Sequence, residues 1–134
     1  MKLRLRGNTL RLRLTVGEVA ALGAGDEVTE ATLFPDGSTL RYRLRADGAE
    51  ALASQHSQTT AQGLVHEIVV QVPRGDAAIW STSTVVGFAG EEPMVMGPLN
   101  VLIEKDFDCV VPRAGEESLD TFPNPNATDK RVAG

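Results

Sequence analysis

Leucine and basic residues alternate with a period of two through "KLRLRGNTLRLRL" (2–14). That is the period of a half-buried strand. Gly7-Asn8 forms a two-residue loop between the runs, with glycine at the first central position, as a type II′ hairpin turn requires. The hairpin register sets Leu5 against Leu10 and Leu3 against Leu12 on one face. On the other it sets Arg4 against Arg11 and Lys2 against Arg13. The leucine face is the core face. "TVGEVAAL" follows, with Thr15 three positions before Glu18, the spacing of a capping box. It predicts a short helix over 15–22 that stops at Gly23-Ala24-Gly25. Next, "EVTEATLF" (27–34), the turn "PDGS" and "TLRYRLR" (39–45) read as a second hairpin. In it Leu40, Tyr42 and Leu44 face one way and Arg41, Arg43 and Arg45 the other.

The pattern then weakens. "GAEALASQHSQTTAQG" (48–63) has alanines that favour helix, but its place before the apolar run "LVHEIVVQV" (64–72) makes it a hairpin arm. In "GDAAIWSTS" (75–83), Asp76 is the expected N-cap of a short helix burying Ile79 and Trp80. "TVVGF" (84–88) is short and extended, "GEEPMVMGP" (90–98) is turn-rich, and "NVLIEKDFDCVV" (100–111) is the last strand. Beyond Pro112 the chain is polar and contains several prolines. The expected organisation is a single β-rich domain over 1–112, with 113–134 a tail lying on the surface or disordered. No internal repeat stands out. The expected fold is mainly β: one antiparallel, strongly curved sheet or small barrel, with one or two short helices.

Charge changes this picture. The 134 residues carry a formal net charge of −5. Residues 1–45 hold 8 of the 13 Lys and Arg but 5 of the 18 acids, a balance of +3, and the remainder carries −8. The two halves can neutralise one another. A single cysteine, Cys109, excludes an intrachain disulfide and a thiolate zinc cage. No signal-peptide-like or membrane-length apolar run is present, so cytoplasmic residence is the default and no membrane partner is expected. The triplet Asn126-Ala127-Thr128 matches a glycosylation acceptor, but without a secretion signal it reads as chance.

"KLRLRGNTLRLRLTVGEV", "LIEKDFDC" and "FPNPNA" together resemble an uncharacterised family of small bacterial proteins. Its members begin with an alternating basic hairpin, carry a late "EKDF" strand and end in a Pro-Asn segment. The resemblance spans most of the chain and implies a cytosolic bacterial protein, with no function and no catalytic residues attached. The chain departs from that pattern at "SQHSQTTAQGLV", longer than the tight turn the family implies.

The basic ladders pose the functional question. Like charges directly opposite on a sheet disfavour pairing by about 0.2–1 kcal/mol each. Two such pairs with a second Arg-rich hairpin come to roughly 1–3 kcal/mol, against a total stability of about 5–15 kcal/mol. Internal acids can offset this. In "VLIEKDFDC" Glu104, Asp106 and Asp108 share one face, opposite Ile103, Phe107 and Cys109, and Glu67 can join them. The leading reading is a non-catalytic binding or accessory domain. Its charged sheet face is either satisfied by these internal salt bridges or engages an acidic partner.

The alternative places both ladders inside a tunnel for a phosphate or polyphosphate compound, with a Mg²⁺-dependent phosphohydrolase as its catalytic form. Arg4, Arg11, Arg13, Arg41 and Arg43 would then bind anions, and Glu104 and Asp106 would hold the metal. The leading reading needs no cofactor. A nucleic-acid platform is opposed by net acidity and an aromatic content of 4%, which leaves little for base stacking. His56 and His66 show no ligand spacing, and His66 alternates with Leu64 and Ile68 as a partly buried strand residue. Cys109 reads as a core thiol, and Trp80 as a core anchor. No Gly-rich phosphate loop, Ser–His–Asp grouping or dinucleotide fingerprint occurs.

Overall fold

The structure, a computed structural model, describes residues 1–106. Its first hairpin joins β1 (Lys2–Arg6) to β2 (Thr9–Leu14) in the register that alternation implies, Leu5↔Leu10 and Arg4↔Arg11 included. Gly7 has φ +54° and Asn8 does not share the positive sign, as the type II′ turn demands. Thr15 caps α1 (Val16–Gly23): its hydroxyl accepts from the Glu18 amide, while the Glu18 carboxylate accepts from the Thr15 amide. A second hairpin, β3 (Val28–Leu33) and β4 (Thr39–Ala46), follows. The ambiguous stretch is indeed a strand. β5 (Leu52–Thr60) pairs with β6 (Gly63–Val72) across a two-residue turn, so the apparent excess length lies in the strands.

Two expectations for the next segment are corrected. α2 (Arg74–Ser81) starts two residues before Asp76, with Pro73 at the N-cap position and no side-chain cap. Proline before the first turn pre-sets the backbone, and Asp76 instead lies within that turn, where its charge suits the helix dipole. Trp80 is buried, but its neighbour Ile79 is 70% exposed, because consecutive residues on a helix point about 100° apart. The turn-rich segment contains β7 (Met94–Met96), which pairs with β8 (Leu99–Lys105). The expected continuation of this strand through Phe107, Asp108 and Cys109, and the tail 113–134, lie outside the described residues.

The sheet expectation is also corrected. The described residues form two four-stranded sheets, β1-β2-β8-β7 (sheet A) and β3-β4-β6-β5 (sheet B), and neither closes into a barrel. Each is mixed: β2 runs parallel to β8 and β4 parallel to β6 at the two sheet centres. A hairpin dictates only its own antiparallel pair, and both central contacts join strands of different hairpins, consecutive ones for β4–β6 and remote ones for β2–β8. Leu10, Leu12, Leu14, Val101 and Ile103 from sheet A share one core with Leu44, Val70 and Val72 from sheet B and with Val19, Leu22, Ala77 and Trp80 from the helices.

This arrangement contains a repeat that the sequence hides. The order strand-strand-helix-strand-strand occurs twice, as β1β2α1β3β4 and as β5β6α2β7β8. Each half gives one hairpin to each sheet, and the second strand of every hairpin is central. The buried residues Leu12, Leu14, Val19 and Leu22 of the first half stand 58 positions before Val70, Val72, Ala77 and Trp80 of the second. Gly23 and Ser81, separated by the same interval, lie against each other where the helices meet. Equivalent positions touch in this way at a two-fold axis.

Candidate functional site

The outer faces of the two sheets carry the two basic ladders. They therefore point away from the shared core, and among the described residues no lumen holds both. The tunnel alternative finds no support among the described residues.

On sheet B the ladder is neutralised from within. Glu67, at the middle of β6, is only 5% exposed although it lies on the outer face. Its two oxygens accept from Arg41 Nη1 and Arg43 Nη1, each at 3.2 Å, and His56 Nε2 lies 3.3 Å away. The strand registers place these groups: Arg41 is the parallel partner of Glu67, and His56 its antiparallel partner. Arg43 also donates to Glu27, just before β3. The hydrogen bond from Arg43 holds the Glu27 carboxyl below its usual range, against the opposing effect of partial burial. Arg45 donates to the Gln71 side chain at 3.1 Å.

Sheet A is only partly neutralised. Glu104 Oε1 lies 3.1 Å from Arg11 Nε and 3.8 Å from Arg13 Nε, and Asp106 Oδ2 lies 2.9 Å from Lys2 Nζ. The Arg11–Glu104 approach is an ion pair without hydrogen-bond alignment, since Arg11 Nε has no hydrogen-bond partner. Arg4 and Arg6 are exposed and have no carboxylate partner among the described residues. They line a concavity of about 690 Å³ together with Arg11, Thr9, Gly7, Leu102 and Pro93.

The sequence-derived residues are thus divided. Arg4 and Arg11 come together, with Arg13 next along β2, whereas Arg41 and Arg43 are on the other sheet. Glu104 on β8 is held by Arg11 and Arg13, and Asp106, one residue past the end of β8, by Lys2. No group of three or more His, Cys, Asp or Glu suited to a metal ion occurs among the described residues.

Three charged groups escaped the sequence reading. Arg6 obeys the same alternation as Arg4 and belongs to the concavity. Lys105 was legible too, because alternation sets it on the core face with Ile103. It is 4% exposed, donates to the Ser83 carbonyl at 2.5 Å and lies 5.3 Å from the centre of the Trp80 ring. Burial lowers its pKa. The third is the Met1 amine, which lies 2.5 Å from Glu18 Oε2 and 3.0 Å from Glu30 Oε1. Burial opposes its charge, but the hydrogen bonds and charges of the two carboxylates prevail and raise its pKa. Tyr42 completes this group by donating to the Met1 carbonyl at 3.1 Å.

No helix among the described residues is long and apolar enough to cross a membrane. No curated protein matches the chain, and no solved structure does. The model of a family of unknown function, DUF7009, matches residues 1–126, which include every described element, and the chain belongs to that family.

Proposed function

We propose that this chain is a non-catalytic binding domain whose basic outer face on sheet A takes an acidic partner. One observation carries the reading: neutralisation is uneven. Every arginine of sheet B has an acceptor, whereas Arg4 and Arg6 have none among the described residues and line a concave surface with Arg11. Guanidinium groups on a concave wall concentrate field and offer paired donors to carboxylate or phosphate oxygens. The carboxylates on this face, Glu104 and Asp106, act here as counter-ions that limit the positive field to the β1 side. A partner held in this way binds more weakly as salt rises.

The test is titration with polyglutamate, inorganic triphosphate and a neutral polymer at low and physiological ionic strength. Salt-sensitive binding to an anion, lost at least tenfold when Arg4→Glu and Arg6→Glu are combined, is the expected result. Arg41→Gln, on the other sheet, should bind as the parent does. Equal binding by the double variant, or no salt-sensitive binding to either anion, overturns the reading.

A further inference from the structure

β1 is the outermost strand of sheet A and, among the described residues, pairs only with β2. Which of its backbone groups are free follows from the turn. A two-residue loop makes Arg6↔Thr9 a hydrogen-bonded pair, and such pairs alternate along an antiparallel ladder. Arg4 and Lys2 therefore also bond to β2. The N–H and C=O groups of Leu3 and Leu5 point to the open side.

The two faces of this open edge differ in character. Outward stand Arg4 and Arg6 with their basic concavity. Inward stands Leu5, 58% exposed, beside an open, mostly apolar concavity of about 390 Å³ lined by Leu10, Ile68, Met96 and Leu99 and, from β5, by Ser54 and Gln55. A strand added to β1 would alternate its side chains between these two environments.

We propose that the edge of β1 receives an extended segment of a partner protein in which acidic and apolar residues alternate. The proposal rests on the acidic-partner reading above and adds how the partner is held. Backbone bonds to Leu3 and Leu5 supply affinity, carboxylates reach Arg4, Arg6 and Arg11, and apolar side chains cover Leu5 and enter the inner cavity. A second copy of β1 is a poor occupant, because its arginines would meet arginines on the outer face. The same side chains that would attract an acidic strand keep like strands apart.

The experiment titrates the full chain with three capped six-residue peptides. One is Glu-Val-Glu-Val-Glu-Val, one is Glu-Glu-Glu-Val-Val-Val, and one is the alternating peptide N-methylated at every second amide on its pairing edge. The expected result is at least tenfold weaker binding for the block peptide. Binding of the N-methylated peptide should be lost, and amide exchange at Leu3 and Leu5 slowed by the alternating peptide alone. Leu5→Pro removes an edge donor without breaking the β1–β2 ladder and should abolish binding at an unchanged melting temperature.

Equal affinity for all three peptides overturns edge pairing and leaves the acidic-partner reading standing. Binding of none of them, nor of polyglutamate, overturns both. Dimerisation of the chain that Leu5→Pro abolishes overturns the proposal in favour of a second copy. Should Leu5→Pro fail to fold, the N-methylated peptide still decides.

Discussion

Glu67 is the residue on which the outer face of sheet B depends, since two arginines and a histidine converge on one nearly buried carboxylate. Glu67→Gln keeps the shape but leaves Arg41 and Arg43 beside a neutral amide. Because both guanidiniums still reach water, the loss should be about 1–3 kcal/mol, below that of a fully buried pair, as urea unfolding would show. The Met1 amine gives a pH prediction. Its pKa is raised on folding, so its contribution is complete below the unfolded value, about 8, and is lost as pH rises through the folded one. Tyr42 acts in the same direction at higher pH, because burial and then the charges of Glu30 and Glu18 raise its own pKa. The melting temperature should fall between pH 7 and 9.5, and fall less in Glu30→Gln, which spares the helix cap. At this scale the sequence was readable wherever period two ruled: the ladder faces, the Glu67 side and the inward position of Lys105 all follow from parity. The convergence on Glu67 was not, because it needs the lateral order β4-β6-β5, which no single strand encodes.

Among the elements, the contact between α1 and α2 is the most sensitive to volume. A Cβ at Gly23 would overlap the Ser81 side chain, whose hydroxyl donates to the Ala78 carbonyl at 2.7 Å. Replacing a helical glycine by alanine gains up to about 1 kcal/mol from propensity. Overpacking at a helix crossing outweighs that gain. Gly23→Ala should therefore destabilise by about 1–3 kcal/mol, and Ser81→Gly on that background should recover most of the loss. A double-mutant cycle with no coupling would disprove the contact. Hairpins and the first helix were legible because their signals are local: alternation, a two-residue loop, a capping box. The start of α2 was not, because Asp76 offers a capping side chain while Pro73 offers a backbone already bent for the first turn. β5 carried little signal for a related reason. It is an edge strand with polar residues on both faces, and only its pairing to β6 makes it a strand.

For the whole molecule, the exchange of hairpins between the halves sets the cooperativity. Each sheet joins a hairpin from 1–46 to one from the rest of the chain, so neither half can complete a sheet alone. Fragments 1–46 and 47–134 should each give collapsed, unfolded-like amide spectra, and mixing them should restore dispersion. A folded isolated fragment would contradict the arrangement. The repeat escaped the sequence because its halves share burial, not letters. Leucines in β2 correspond to valines in β6, and Leu22 corresponds to Trp80. The pairing of β2 with β8 also has a consequence in time. Thr9 waits for Asn100. At a synthesis rate of about 5–20 residues per second, the first hairpin spends roughly 5–20 s with the open edge of β2 lacking its neighbour. Leucine-rich strands in that condition are prone to stick to one another, and charged residues between them are the usual guard. The arginines interleaved with Leu3, Leu5, Leu10 and Leu12 stand where such a guard is needed until β8 is made.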